Sequence, residues 1–304
     1  MAKTIRQMTI KEWEAAFPTE DACAAYLVAH RWPYGQVVCP RCGNLKVKPH
    51  GTIPYCWLCN ECSPSQTNYR FSHIAGTVFE NTNKPLRDWF RVLHMMVTAK
   101  KGVSALQVMR VMGFGSYKTA HYMCMRLRAA MQDKDFLAMT GIVEVDETFV
   151  GGKTQNKHKD KRGQGRGPGG GSGGKTAVVG AVSRSKKNVV ARVIGSATAA
   201  AVGGFVRQTV DSKVSLLATD MWMGYKGLDT DYTRVSVDHE IGQYVVGAIH
   251  TNTIEGFWSL LKRGVIGTFH KVSPKYLPLY VAEFCFRYNN RENEDIFGAA
   301  VKGC

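Results

Sequence analysis

The sequence predicts an α/β fold, a mixed sheet with flanking helices, standing behind a cysteine-paired module and a helical region. Three observations in the second half predict it. In residues 142–150, apolar Val143, Val145 and Phe149 alternate with polar neighbours around Asp146, the period of a strand with one wet face. Residues 176–182 and 189–194 are two further β-branched runs separated by a basic turn, 183–188, and so form a hairpin beside that strand. A helical stretch, 198–210, then leads to the apolar run 214–219, which reads as a short buried strand with Asp220 at its tip.

A chain of 304 residues buries a full core and has room for two or three domains. At 44% hydrophobic and 21% charged, its composition is that of an ordinary soluble globular protein. Its 40 Lys+Arg against 24 Asp+Glu leave a net charge of +16. Such an excess favours a polyanionic partner, because cations that displace counterions from phosphates bind without regard to sequence. A basic protein with no nucleic-acid role is the plainer alternative. The first residues lack the apolar run of a signal peptide and no stretch approaches bilayer-spanning length, so the expectation is a cytoplasmic, nucleoid-associated protein with no membrane partner. In that compartment its nine cysteines are expected to stay reduced, and clustered ones to bind metal.

Taken in order, residues 1–34 form a helical segment: Thr19-Glu20-Asp21 starts a helix that Trp32-Pro33 stops, with Cys23 as a buried structural thiol. Residues 35–80 carry Cys39-Pro40-Arg41-Cys42 and Cys56-Trp57-Leu58-Cys59-Asn60-Glu61-Cys62, the spacing of a zinc ribbon. Cys39 and Cys42 form the first pair. Both Cys56/Cys59 and Cys59/Cys62 suit the second, with Cys59/Cys62 favoured. Four thiolates leave no open position for water, so this Zn2+ is structural. Reduced thiols without metal are the alternative.

Residues 81–135 begin with a stripe of Leu86, Trp89, Phe90, Leu93 and Val97. Two apolar-periodic helices follow, with serines before them and Gly113 between, the outline of a helix-turn-helix. Its second helix, from about Tyr117 to Met131, is expected to expose Lys118, Arg126 and Arg128 to DNA. An ordinary helical hairpin is the alternative. Residues 140–292 hold the α/β domain, with a loop from Lys153 to Lys175 that carries seven Lys/Arg, Lys153 among them, against one acid, Asp160. Too polar to order itself, that loop either closes over nucleic acid or is a solvated linker. Residues 293–304 read as a C-terminal tail.

Three paired strands, a helix and a strand ending in an acid are of the ribonuclease H-like kind, in which the first and fourth strands lie side by side and bring Asp146 to Asp220. A third acid, Glu255, opens a helix marked by Ile254, Trp258 and Leu261. Carboxylates converging from separate elements suit Mg2+ or Mn2+, and two such ions serve phosphoryl transfer on DNA. Glu144 and Glu147 flank Asp146 and are expected on the opposite face. Lys262 lies two helical turns beyond Glu255, where an ammonium can hold a phosphate, with Arg263 beside it. His250 and Asn252 precede the helix and either position it or touch the phosphate, with a capping role favoured for Asn252.

Glu144-Val145-Asp146-Glu147-Thr148-Phe149-Val150-Gly151-Gly152-Lys153, Ala218-Thr219-Asp220, and His250-Thr251-Asn252 leading to Glu255-Gly256-Phe257-Trp258-Ser259-Leu260-Leu261-Lys262-Arg263-Gly264 resemble the three signature blocks of bacterial insertion-sequence DDE transposases. The subgroup resembled is the one with a zinc-ribbon front end, insertion-sequence family fifteen ninety-five. The likeness takes in the cysteine pairs, Arg70-Phe71-Ser72, Gly76-Thr77-Val78-Phe79, Lys100-Lys101-Gly102 and the closing Phe286-Arg287-Tyr288-Asn289-Asn290-Arg291. It departs at the extra Cys56 and the longer gap before Phe71. The resemblance implies catalytic acids at Asp146, Asp220 and Glu255, a trailing basic residue at Lys262, and a homo-oligomer acting on double-stranded DNA. Hydrolysis at the element's ends would expose a 3′-hydroxyl that attacks target DNA. A ribonuclease H-like nuclease without strand transfer, and a DNA-binding regulator whose acids are incidental, are the rival readings.

Overall fold

The computed structural model describes residues 8–62, 69–133, 137–152, 174–237 and 251–304. The chain divides into two compact units, Met1–Gln132 with Arg291–Cys304, and Asp133–Asn290.

In the first unit, a capping box between Thr9 and Glu12 starts α1 (Ile10–Ala16). Thr19 caps α2 (Glu20–Arg31) as expected, and Cys23 is buried within it. Three short antiparallel strands follow, β1 (Val47–Pro49), β2 (Cys56–Cys59) and β3 (Tyr69–Ser72), in the order β1-β2-β3. The helix α3 (Leu86–Thr98) starts behind Pro85, which has no side-chain acceptor, so the Glu20 carboxylate accepts from Leu86 N and Arg87 N instead. Its apolar stripe, Leu86, Trp89, Phe90, Leu93 and Val97, is buried.

Ser104 and Ser116 cap α4 (Ala105–Met112) and α5 (Tyr117–Ala130), and Gly113 between them takes the left-handed φ of 65° that a tight helix end requires. Two of the three cations expected on the outside of α5 are turned inward. Arg128 is 1% exposed, and Arg126 donates to the Glu80 and Thr77 carbonyls and to the Tyr122 hydroxyl. Helical spacing is the reason: Ala120, Cys124, Leu127 and Met131 form the buried stripe, and Arg128, four residues after Cys124, falls on it. Lys118 is exposed as expected.

The second unit is a five-stranded mixed sheet with helices on both faces. Its chain order is β4 (Ile142–Val150), β5 (Thr176–Ser183), β6 (Asn188–Ile194), α6 (Ala199–Thr209), β7 (Leu216–Asp220), β8 (Arg234–Val237), α7 (Asn252–Gly264) and α8 (Leu277–Asn289). The strands lie in the order β6-β5-β4-β7-β8; β4 is antiparallel to β5 and parallel to β7. One face packs Val143, Val145, Val179, Ala181 and Leu217 against Val202, Phe205 and Val206 of α6. The other packs Val150, Val178 and Val182 against Ile254, Phe257, Trp258 and Leu261 of α7 and Phe284 of α8. Burial on both faces explains why β5 reads as a nearly continuous apolar run. A π-helical turn, Val265–Phe269, extends α7.

The residues expected as a tail instead form α9 (Ile296–Gly303), capped by Asp295 and belonging to the first unit. Phe297 places its ring 5.3 Å from that of Phe17 and 5.5 Å from that of Phe90, so aromatic burial draws the chain end back. Among the described residues no helix is long and apolar enough to cross a membrane.

Candidate active site and thiol cluster

The parallel register pairs Ile142 with Leu216, Val143 with Leu217 and Glu144 with Ala218. Two residues further along each strand stand Asp146 and Asp220, so the pairing of β4 with β7 sets these acids side by side on the sheet face that α7 covers. Glu255 lies in the first turn of α7, where its Oε1 accepts from the Thr251 hydroxyl at 2.9 Å. Asp146 senses both of the other acids. Burial pushes the Asp146 carboxyl up to about 6; the charges of Asp220 and Glu255 add to the rise, while the Glu147 backbone and the Trp258 indole oppose it.

Trp258 donates its indole N–H to Asp146 Oδ2 at 3.0 Å. The ring lies over Gly180, the residue opposite Asp146 on β5. A Cβ there would come within 2.7 Å of the Trp258 ring, so only glycine lets the indole reach the acid.

Glu144 and Glu147 separate, contrary to expectation. Residues two apart on a strand share a face, so Glu144 lies on the side of Asp146 and only Glu147 is opposite. Glu144 is fully buried. Its Oε2 accepts from Thr253 N at 2.9 Å and Ile254 N at 3.0 Å, and its Oε1 from the Thr253 hydroxyl at 2.7 Å and Arg184 Nε at 2.6 Å. It therefore performs the capping expected of Asn252; Asn252 is the first helical residue, and Thr251, at the cap position, makes no side-chain bond to the helix backbone. On the other face the Tyr225 hydroxyl donates to Glu147. Burial pushes Glu147 up to about 7, with Asp220 and Asp146 adding to the shift against the Tyr225 bond.

An acid held above its ordinary range keeps in the folded state a proton that the unfolded chain releases. Each such acid therefore subtracts stability as pH rises from about 4 to 7, and the loss is complete above that. Asp146→Asn is expected to stabilise the protein by on the order of 2 kcal/mol at pH 7.5, the gain shrinking towards zero near pH 4.5. Denaturant unfolding at the two pH values, in buffer free of divalent cations, checks this.

Lys262 and Arg263 are exposed in the last turn of α7, Arg263 donating to the Ser259 carbonyl at 3.2 Å. Lys153, most of the basic loop that follows it, and His250 lie outside the described residues.

In the first unit, the thiols of Cys39, Cys42, Cys59 and Cys62 gather within 4.8 Å of one another. Cys39 Sγ is 3.6 Å from Cys62 Sγ, and Cys42 Sγ is 3.7 Å from Cys59 Sγ. Sulfurs about 2.3 Å from one tetrahedral Zn2+ stand about 3.8 Å apart, so this donor set fits the ion. Cys56, buried on β2, lies outside the cluster, which leaves Cys59 and Cys62 as the second pair.

Residues 138–289 match the ISXO2-like transposase domain, and residues 18–65 match the transposase zinc-ribbon domain. Over 279 residues, 89% of this chain and 91% of the other, the sequence is 29% identical to the uncharacterized protein in transposable element ISH50 of Halobacterium salinarum. The first match contains all three acids, and the second all four clustered thiols.

Proposed function

The chain belongs to the family of ISXO2-like transposases, and we propose that it moves an insertion sequence by cation-dependent cleavage and strand transfer at the element's DNA ends, with Asp146, Asp220 and Glu255 as its catalytic acids. The observation that carries this reading is the placement of Asp146 and Asp220 at the β4–β7 pairing, under the helix that bears Glu255. A strand order with the first and fourth strands adjacent and parallel supports a ribonuclease H-like domain.

Two Mg2+ or Mn2+ ions at these acids would supply activation of the attacking oxygen and stabilisation of the leaving one. Asp146, whose Oδ2 accepts from Trp258, would offer its carboxylate to a cation. Asp220 supplies a carboxylate from the neighbouring strand end, and Glu255 one from α7. Lys262 and Arg263 hold the DNA backbone beside them as phosphate contacts that position without reading sequence. Exposed Lys118 at the start of α5 and the zinc-bearing ribbon hold the element's end, and a second copy of the chain holds the other end. Arg126 and Arg128 serve α5 as packing groups.

Full-length protein with Mg2+, duplex carrying the element's terminal sequence and a supercoiled target tests the reading. The expected products are 3′-hydroxyl ends joined to target strands. Ends cut by water and never joined would favour the nuclease, and bound but uncut DNA the regulator.

A further inference from the structure

We propose that Glu144 is a positioning residue for the acid site: its buried carboxylate sets where α7, and with it Glu255, stands relative to Asp146. The inference rests on the three acids sharing cations. Apolar packing of α7 on the sheet is non-directional and by itself specifies no particular bond between the helix start and β4. Glu144 supplies directional bonds there. It precedes Asp146 by two residues on β4, and it grips the backbone N–H groups of Thr253 and Ile254, the two residues before Glu255.

A helix ordinarily takes its cap from the side chain of its own N-cap residue. Here the hydroxyl of Thr251 is turned to Glu255 Oε1, and the cap comes from the strand that carries the other acid. The helix N-terminus and the Arg184 guanidinium, 2.6 Å away, compensate the buried charge, and Arg184 ties in the turn after β5. A second tie, Trp258 to Asp146, falls three residues beyond Glu255. Glu255 thus stands between two fastenings, both ending on β4 within two residues of one another.

The test is a titration of the full-length, zinc-loaded protein with Mn2+ alone, free Mn2+ being read by electron paramagnetic resonance, alongside thermal melts. Wild type is compared with Glu144→Gln, Glu144→Ala and Asp146→Ala, below every melting point. Glu144→Gln is expected to weaken Mn2+ about tenfold and Glu144→Ala up to about a hundredfold, the range over which groups that orient metal ligands act. Excess Mn2+ should restore end cleavage to Glu144→Gln. Folded variants that melt earlier yet bind Mn2+ as wild type does would reduce Glu144 to a helix cap and overturn the proposal. If Glu144→Ala does not fold, Glu144→Gln decides. Unchanged Mn2+ binding by Asp146→Ala would overturn the acid site itself, a separate outcome.

Discussion

Asp146→Asn is expected to leave the protein folded, zinc-loaded and bound to its DNA ends while lowering end cleavage by about 10³-fold or more, the scale of the several kcal/mol that cation-assisted charge stabilisation contributes. The amide keeps a carbonyl oxygen for the Trp258 indole, so the tie between β4 and α7 survives. What is lost is the negative charge beside Asp220 and Glu255. Because that charge costs stability in the cation-free protein, the same substitution should raise stability at neutral pH. Cleavage and stability move in opposite directions, which misfolding cannot mimic. Gel-shift, cleavage and unfolding measurements on one preparation check it, and a variant that cuts DNA at the wild-type rate would remove Asp146 from the chemistry.

Cys42→Ser is expected to empty and unfold the ribbon. Its strands are three and four residues long, too short to stand on their own pairing. A structural Zn2+ in such a module supplies about 10–16 kcal/mol of apparent binding free energy, and that energy is folding energy. Cys42 is the informative position because its thiol is exposed, so the substitution removes a ligand without opening a cavity. Zinc content should fall from one per chain to near zero, and amide exchange across β1–β3 should become fast. Cys56→Ser should retain its zinc. Equal metal content in wild type and Cys42→Ser would refute the ribbon assignment.

The frame of the second unit was legible because strand alternation, the basic hairpin turn and an acid closing an apolar run are local patterns. They predicted β4 to β7 and, through the order of elements, the meeting of Asp146 with Asp220. The role of Glu144 was not legible: its partners lie 109 and 110 residues away, and no local pattern marks a strand acid as the cap of a distant helix. Arg128 failed for a different reason. Arginine suggests a surface, yet its position on the stripe with Cys124 and Leu127 outweighs residue type. The helix α9 was readable in principle, since Ile296, Phe297, Ala300 and Val301 recur at helical spacing, but a short run at a chain end resembles a tail. Cys56 shows the limit of spacing rules: two cysteine pairs satisfied the pattern, and three-dimensional proximity selects one.

The most direct test of the shared acid site is diffraction from crystals of the full-length protein soaked in Mn2+, with data collected at the manganese edge. Anomalous peaks are expected at the carboxylates of Asp146, Asp220 and Glu255. Manganese bound elsewhere, with these three carboxylates bare at saturating concentration, would contradict the account.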